Sequence, residues 1–217
     1  MCLPNSATTG PANPPPRPPP HAGRMAEEGA SATVILINFE GQLAALKVFS
    51  PIFKRWLAEY EYSYLQFVGG QGGAPVPLGF CYKPMAIIMS YNEGKTLSEV
   101  LKRQDMTEWM FLEVAANLIS KVQEMHDLRV IHNDLKEDNI VVNDELEVSV
   151  IDFGCATFDG QTLGYPMFKA HWLDPALQKG GRSNYATDTF SVGYLLSKIA
   201  VRMTHGVQLQ QLASKMV

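Results

Sequence analysis

The stretch His132-Asn133-Asp134-Leu135-Lys136-Glu137-Asp138-Asn139, followed thirteen positions later by Asp152-Phe153-Gly154, decides the reading of this 217-residue chain. Asp134 is a carboxylate that could accept or orient the proton of an attacking hydroxyl. Asn139 and Asp152 offer an amide and a second carboxylate, hard oxygen ligands of the kind that hold Mg²⁺ on a nucleotide. Lys136, two residues from Asp134, is spaced to neutralise a phosphate in flight. Phosphoryl transfer needs these parts, because its catalysis is mostly positioning and charge stabilisation. An isolated loop aspartate reads as a solvated carboxylate, and an isolated Asp-Phe-Gly carries little information. The spacing of the two motifs is what gives them weight.

Around this centre the chain reads as strands first and helices later. Asp152 ends the apolar run Val148-Ser149-Val150-Ile151, and strand ends commonly present ligand-binding side chains. Asn139–Asn143 and Glu147–Ile151 are expected as strands about an Asp144-Glu145 turn. His132 is expected to pack and anchor the loop rather than to act as a base. Gly154 is expected to supply backbone freedom.

Further upstream, Thr33–Phe39, a Glu40-Gly41 turn and Leu43–Phe49 predict a β-hairpin. Trp56, Tyr60, Tyr64 and Phe67 at helical spacing predict a helix from about Ile52 to Val68. Gly69–Gly73 reads as a flexible break, and Val76–Tyr82 with Met85–Met89 as another strand pair. Asn92-Glu93-Gly94 looks like a linker between lobes. Thr96 with Glu99 three residues on predicts a capped short helix. A longer helix from Thr107 to about Asp127 would carry Met110, Phe111, Val114, Leu118, Ile119 and Val122 on one face. Asp188 to about Arg202 predicts an apolar helix.

Composition bounds the rest. Apolar residues make up 46% of the chain, enough for a substantial core, and the net charge is −4. That balance gives no sign of a nucleic-acid or membrane surface. No apolar run approaches the roughly 20 residues of a membrane span. Three cysteines without metal spacing fit a reducing compartment, and with no secretory signal the cytosol or nucleus is expected. Eight of the fourteen prolines fall in the first twenty positions. Residues 1–30 therefore read as a disordered tail sampling polyproline II, either a simple tail or a ligand for an SH3-type domain.

From about Ala32 to Leu196 these motifs resemble the eukaryotic protein kinases. The resemblance implies an α+β, two-lobed fold, with a small antiparallel β N-lobe over residues 31–91 and a mainly helical C-lobe over 92–217. It implies ATP and Mg²⁺ as cofactors and a protein as substrate. Asp134 and Lys136 would be catalytic, with Asn139 and Asp152 on the metal. Lys47, in Ala44-Ala45-Leu46-Lys47, resembles the lysine of the Val-Ala-Ile-Lys strand and would hold the α- and β-phosphates. Its charge needs a partner in an apolar strand. Glu61 fits that role, with Glu59 as the alternative. Val34 and Ala45 would line the adenine pocket, the backbone of Ser90 and Tyr91 would bond the adenine edge, and Met89 would limit its depth. Lys136 in Asp-Leu-Lys-x-x-Asn favours serine or threonine acceptors.

Downstream, Trp172-Leu173-Asp174-Pro175-Ala176 occupies the place of the family's Ala-Pro-Glu segment. Asp188-Thr189-Phe190-Ser191-Val192-Gly193 resembles its Asp-x-Trp-Ser-x-Gly helix opening, with Asp188 expected to fix the catalytic-loop backbone. That downstream match separates the chain from small-molecule phosphotransferases of the choline or aminoglycoside kinase type.

The chain also departs from the family pattern. Glu27–Val34 retains Gly29 alone of three loop glycines, which predicts weakened phosphate positioning. Asn133 replaces the arginine that often precedes the catalytic aspartate. The usual phosphosite region offers Tyr165, Lys169 lies where a small hydroxyl residue commonly faces the substrate, and Ala176 removes a paired glutamate. Residues 206–217 allow one more helix, with Val207, Leu209, Leu212 and Met216 as its apolar positions. The C-lobe is thus expected to be incomplete and its central helix to expose apolar surface for a partner. A pseudokinase or scaffold that binds nucleotide without turnover is the alternative reading.

Overall fold

The computed structural model describes residues 2–4, 32–163 and 169–217. Cys2–Pro4 forms strand β1, where the sequence suggested tail; residues 5–31, including most of the proline-rich segment and Gly29, lie outside the described residues. Ala32–Phe39 (β2) and Gln42–Phe49 (β3) form the expected hairpin. Glu40 and Gly41 both take positive φ, as a tight hairpin turn of this kind demands.

The following helix, α1, spans Arg55–Val68 rather than starting at Ile52. Phe53 turns back to donate its N–H to the Ser50 carbonyl and stacks its ring on Phe49 at 5.0 Å, so the chain cannot enter the helix until Lys54. Gly69 ends α1 in the left-handed region, its N–H on the Leu65 carbonyl. Pro77–Tyr82 (β4) and Met85–Ser90 (β5) complete a five-stranded antiparallel sheet in the order β1-β4-β5-β3-β2.

The segment between α1 and β4 is not the flexible break that its glycines suggested. Gly72 is buried, and a Cβ there would stand 2.7 Å from Met125 Cγ; one at Gly73 would stand 2.7 Å from the Val148 carbonyl oxygen. Glycine recurs here because backbone packs directly on backbone, and both residues sit at positive φ.

Beyond residues 91–94 helices predominate. Lys95–Thr96 is β6, Leu97–Val100 is α2 with the predicted Thr96–Glu99 capping box, and Glu108–Asp127 is α3, capped by Thr107. On α3, Phe111, Val114, Leu118 and Val122 are buried as expected. Ile119 points outward, and Ala115 and Met125 complete the buried stripe instead. Val130–Ile131 (β7), Ile140–Val142 (β8) and Val148–Val150 (β9) follow, and Thr157–Phe158 is β10. They make a three-stranded sheet β6-β8-β9 and an antiparallel pair β7-β10.

Pro175–Gln178 (α4) and Tyr185–Ala200 (α5) come next. α5 begins three residues before Asp188, because Asn184 and Thr187 form its capping box. The last helix, α6, is Val207–Ala213. Its buried residue is Ala213; Val207 and Leu212 are exposed, contrary to the sequence pattern. The α5 face at Gly193 is not open, since a Cβ there would meet Met216 and Val217 side chains within 3 Å. One continuous core runs from Tyr64, Leu65 and Ile87 through Phe153 and Ile140 to Leu118 and Leu195, joining the sheet to the helices.

Candidate active site

A cleft of about 450 Å³ lies between the five-stranded sheet and the helical part. Val34, Ala45 and Lys47 line it from β2 and β3, Met89, Ser90 and Tyr91 from β5 and the connection after it, and Asn139 and Asp152 from the other side. The register places Val34 opposite Lys47 and Ala45 opposite Met89, so one pleat face of the hairpin turns toward the cleft.

Lys47 is buried, and its ammonium is fully engaged. Nζ donates to Glu61 Oε1 at 2.7 Å and Oε2 at 2.8 Å, and to Asp152 Oδ1 at 2.8 Å. Burial opposes the charge, but Glu61 and then Asp152 more than offset it and hold the lysine above its ordinary pKa. Burial also raises the Glu61 carboxyl, to about 7, against the pull of Lys47 and with a further push from Asp152. Glu59, the alternative partner, instead pairs with Arg55 on the same helix.

The catalytic-motif loop is built on Asp188, which is completely buried in the first turn of α5. Its carboxylate accepts the backbone N–H of His132 at 2.8 Å and of Asn133 at 2.9 Å, as the sequence suggested, and meets His126 Nε2 at 3.1 Å. His132 is likewise buried. Its Nδ1 accepts the Asp134 N–H at 3.3 Å while Nε2 donates to the Ile151 carbonyl at 3.1 Å, which uses both ring nitrogens in packing. Asn133 takes positive φ and donates its Nδ2 to the carbonyls of Ile131 and Cys155 and to Thr157 Oγ1. It thus stitches β7 to β10 with neutral hydrogen bonds.

Asp134 projects from this loop with Oδ2 accepting from Lys136 Nζ at 2.8 Å and from Asn139 Nδ2 at 3.0 Å. The Asn139 amide nitrogen also bonds the Asp134 carbonyl at 2.8 Å, which turns its side-chain oxygen away from Asp134. Asn139 closes a 3₁₀ turn over Glu137–Asn139 instead of opening β8.

Asp152 follows β9 and adopts positive φ (67°), a conformation uncommon outside glycine. Gly154 does not; a Cβ there would make only ordinary contact with Asp152 Oδ1 at 3.4 Å. The backbone freedom expected of Gly154 is therefore exercised by Asp152. Phe153 is fully buried, edge-on to His132 at 5.0 Å. The Asp152 carboxylate remains 43% exposed and faces the cleft. Burial would raise its pKa, but the Lys47 charge and hydrogen bond hold it below the ordinary carboxylate value.

A conserved domain description agrees with this arrangement: residues 80–212 match the protein kinase domain. The chain belongs to the protein kinase family. It is similar to a probable serine/threonine-protein kinase of Clostridium perfringens, 36% identical over 118 residues covering 51% of this chain and 17% of that protein. A probable serine/threonine-protein kinase of Dictyostelium discoideum is 27% identical over 198 residues, 83% of this chain and 20% of that one. One of Zea mays is 30% identical over 120 residues, 53% and 19% respectively. The chain spans a fifth or less of the length of these relatives. The kinase-domain match opens on β4, so Lys47 and Glu61 lie upstream of it, and the fold brings them to the same cleft.

Several residues of this candidate site were not visible in the sequence. Leu65, Val141 and Ile151 line the cleft, and Trp172 donates its indole N–H to Asp134 Oδ1 at 2.9 Å. Only the apolar strand pattern around Val141 and Ile151 could have pointed to them. Ser90 lines the cleft as expected, but its N–H already donates to the Val76 carbonyl, so that donor is not directed at a ligand. Lys169 is exposed, and Tyr165 lies outside the described residues.

Proposed function

We propose that this chain is a protein kinase that transfers the γ-phosphate of ATP to serine or threonine hydroxyls of proteins. The observation that carries the reading is the convergence of Lys47, Glu61 and Asp152 within 2.8 Å contacts in a cleft that also holds Asn139.

The roles follow from chemistry. Lys47, fixed by Glu61, binds the α- and β-phosphates. Asp152 and Asn139 offer a carboxylate and an amide oxygen on one side of the cleft. Two protein oxygens suit Mg²⁺ shared with phosphates better than an all-protein cage, and among the described residues no group of three or more His, Cys, Asp or Glu could hold a metal alone. Bound there, Mg²⁺ supplies charge neutralisation on the phosphate oxygens. Asp134 takes the hydroxyl proton as the new P–O bond forms and the bond to the β-phosphate oxygen breaks. Lys136, beside it, faces the transferring phosphate. The serine or threonine preference rests on Lys136 and on the similarity to probable serine/threonine-protein kinases.

Incubation with radiolabelled ATP and a pooled serine/threonine peptide library tests the reading beside an Asp134→Asn control. Label from the wild type and not from the variant supports it; equal label from both ends it.

A second reading, nucleotide binding without turnover, draws on the covering of Asp134, whose side chain is only 8% exposed. A thermal-shift titration separates the two. A ligand bound only by the folded state raises its apparent stability, and stabilisation by Mg·ATP with no label transferred favours the scaffold.

A further inference from the structure

The two sides of the site differ in access. Asp152 presents a 43% exposed carboxylate toward the nucleotide cleft, whereas the Asp134 side chain is 8% exposed. On its Oδ1 side Asp134 is capped by Trp172, whose Nε1 donates at 2.9 Å. Lys136 and Asn139 occupy Oδ2, and the Lys136 ammonium lies 5.6 Å from the centre of the Trp172 ring. A carboxylate has about four acceptor directions, and three are taken here. The indole bond is charge-assisted and so among the stronger ones.

The backbone of Trp172 is anchored independently of its ring. Ser191 donates to the Trp172 carbonyl at 2.5 Å, Leu173 is buried, and Gln178 bonds the carbonyls of Ala170 and Leu173. Removing the indole from Asp134 therefore needs a side-chain rotation and no shift of the segment. The group that replaces it at Oδ1 must donate a hydrogen bond and bring enough binding energy to move a bulky ring.

We propose that Trp172 is a specificity-determining gate on the acceptor side, released when an acceptor hydroxyl takes its place on Asp134. The inference rests on the phosphotransfer reading above. Water, which brings no binding energy of its own, does not open the gate, so bound ATP is spared from hydrolysis until a peptide docks.

The indole N–H of Trp172 reports the gate directly. It is identified in a ¹H–¹⁵N spectrum by its loss in Trp172→Phe, with Trp109→Phe, on the exposed face of α3, as control. It should move in Asp134→Asn, stay in place with a non-hydrolysable Mg·ATP analogue, and move when pooled serine/threonine peptides are added to that complex. Trp172→Phe keeps an aromatic ring and loses the donor; acceptor-free ATP hydrolysis should rise roughly tenfold, the scale of one hydrogen bond, and the peptide KM should fall. If the wild type transfers phosphate but the resonance ignores peptide, or the variant shows unchanged or lower hydrolysis, the gate is overturned alone. If no form of the protein consumes ATP, the phosphotransfer reading falls and takes the gate with it. If Trp172→Phe fails to fold, loss of the other two indole signals in Trp56→Phe and Trp109→Phe assigns the third by elimination, and the wild-type spectrum decides the matter.

Discussion

Lys47 Nζ stands 2.8 Å from Asp152 Oδ1 across 105 residues of chain, so a strand of the N-lobe is bonded directly to the loop that follows β9. The same nitrogen reaches Glu61 on α1. One ammonium therefore reports whether the sheet, α1 and the loop after β9 are in register, and its removal should be felt in stability as well as in binding.

Lys47→Met should destabilise the fold by about 3 kcal/mol at pH 8.5, because it strands the buried Glu61 carboxylate. The sign of the pH dependence follows from Glu61, whose folded value of about 7 already exceeds the ordinary 4.5. A raised value gives stability that is present in acid and lost as pH rises through the folded value. Without Lys47 the value climbs further, so urea unfolding should show a smaller loss at pH 6 than at pH 8.5. An equal loss at both would contradict the assignment of Glu61 as the stranded group.

Asp134→Asn should lower peptide phosphorylation by at least 100-fold, the scale of a lost general base. The thermal shift caused by Mg·ATP should survive, since Lys47, Glu61 and Asp152 are untouched. Loss of that shift would mean that Asp134 matters for nucleotide binding rather than for proton transfer.

Asp188→Ala should cost about 3 kcal/mol or more, because the His132 and Asn133 N–H groups would be left buried without an acceptor. Asp188→Asn keeps one oxygen and should recover part of the loss. Denaturation midpoints rank the three proteins; a ranking with Asn no better than Ala would refute the acceptor role.

Glycine replacements should separate packing from backbone strain. Gly73→Ala and Gly160→Ala both force positive φ on alanine, which costs about 1 kcal/mol. Only at Gly73 does the new Cβ also meet backbone, 2.7 Å from the Val148 oxygen. Its loss should exceed that of Gly160→Ala by about 1–3 kcal/mol, read from paired thermal melts.

Much of this architecture was legible because local signals were strong. The Glu40-Gly41 turn between apolar runs and the Thr96–Glu99 cap act within a few residues and lie where they were expected, and the α3 stripe was read correctly at Phe111, Val114, Leu118 and Val122. The preference for Glu61 over Glu59 came from the resemblance, which implies a carboxylate on the next helix, and Glu61 is the one that reaches Lys47 while Glu59 pairs with Arg55. What escaped depended on long-range packing. Gly72 and Gly73 looked like a hinge because a sequence does not show Met125 and Val148 approaching from elsewhere. Trp172 gave no local sign of reaching Asp134, which lies 38 residues earlier. Asn133 read as a missing arginine, and only the fold reveals that its amide joins two strands.

The seating of Gly72 and Gly73 on α3 and β9 has a mechanical result. Gly72 also donates its N–H to Glu124, and Asn92 reaches the Gly73 carbonyl, so the trailing end of α1 is pinned to the body beneath it. Glu61 lies eight residues before Gly69, a lever arm of about 12 Å at 1.5 Å per residue. A tilt of roughly ten degrees about that pinned end carries the Glu61 carboxylate by about 2 Å on this geometry. Such a swing is enough to part it from Lys47, and it leaves the foot of the helix where it stands.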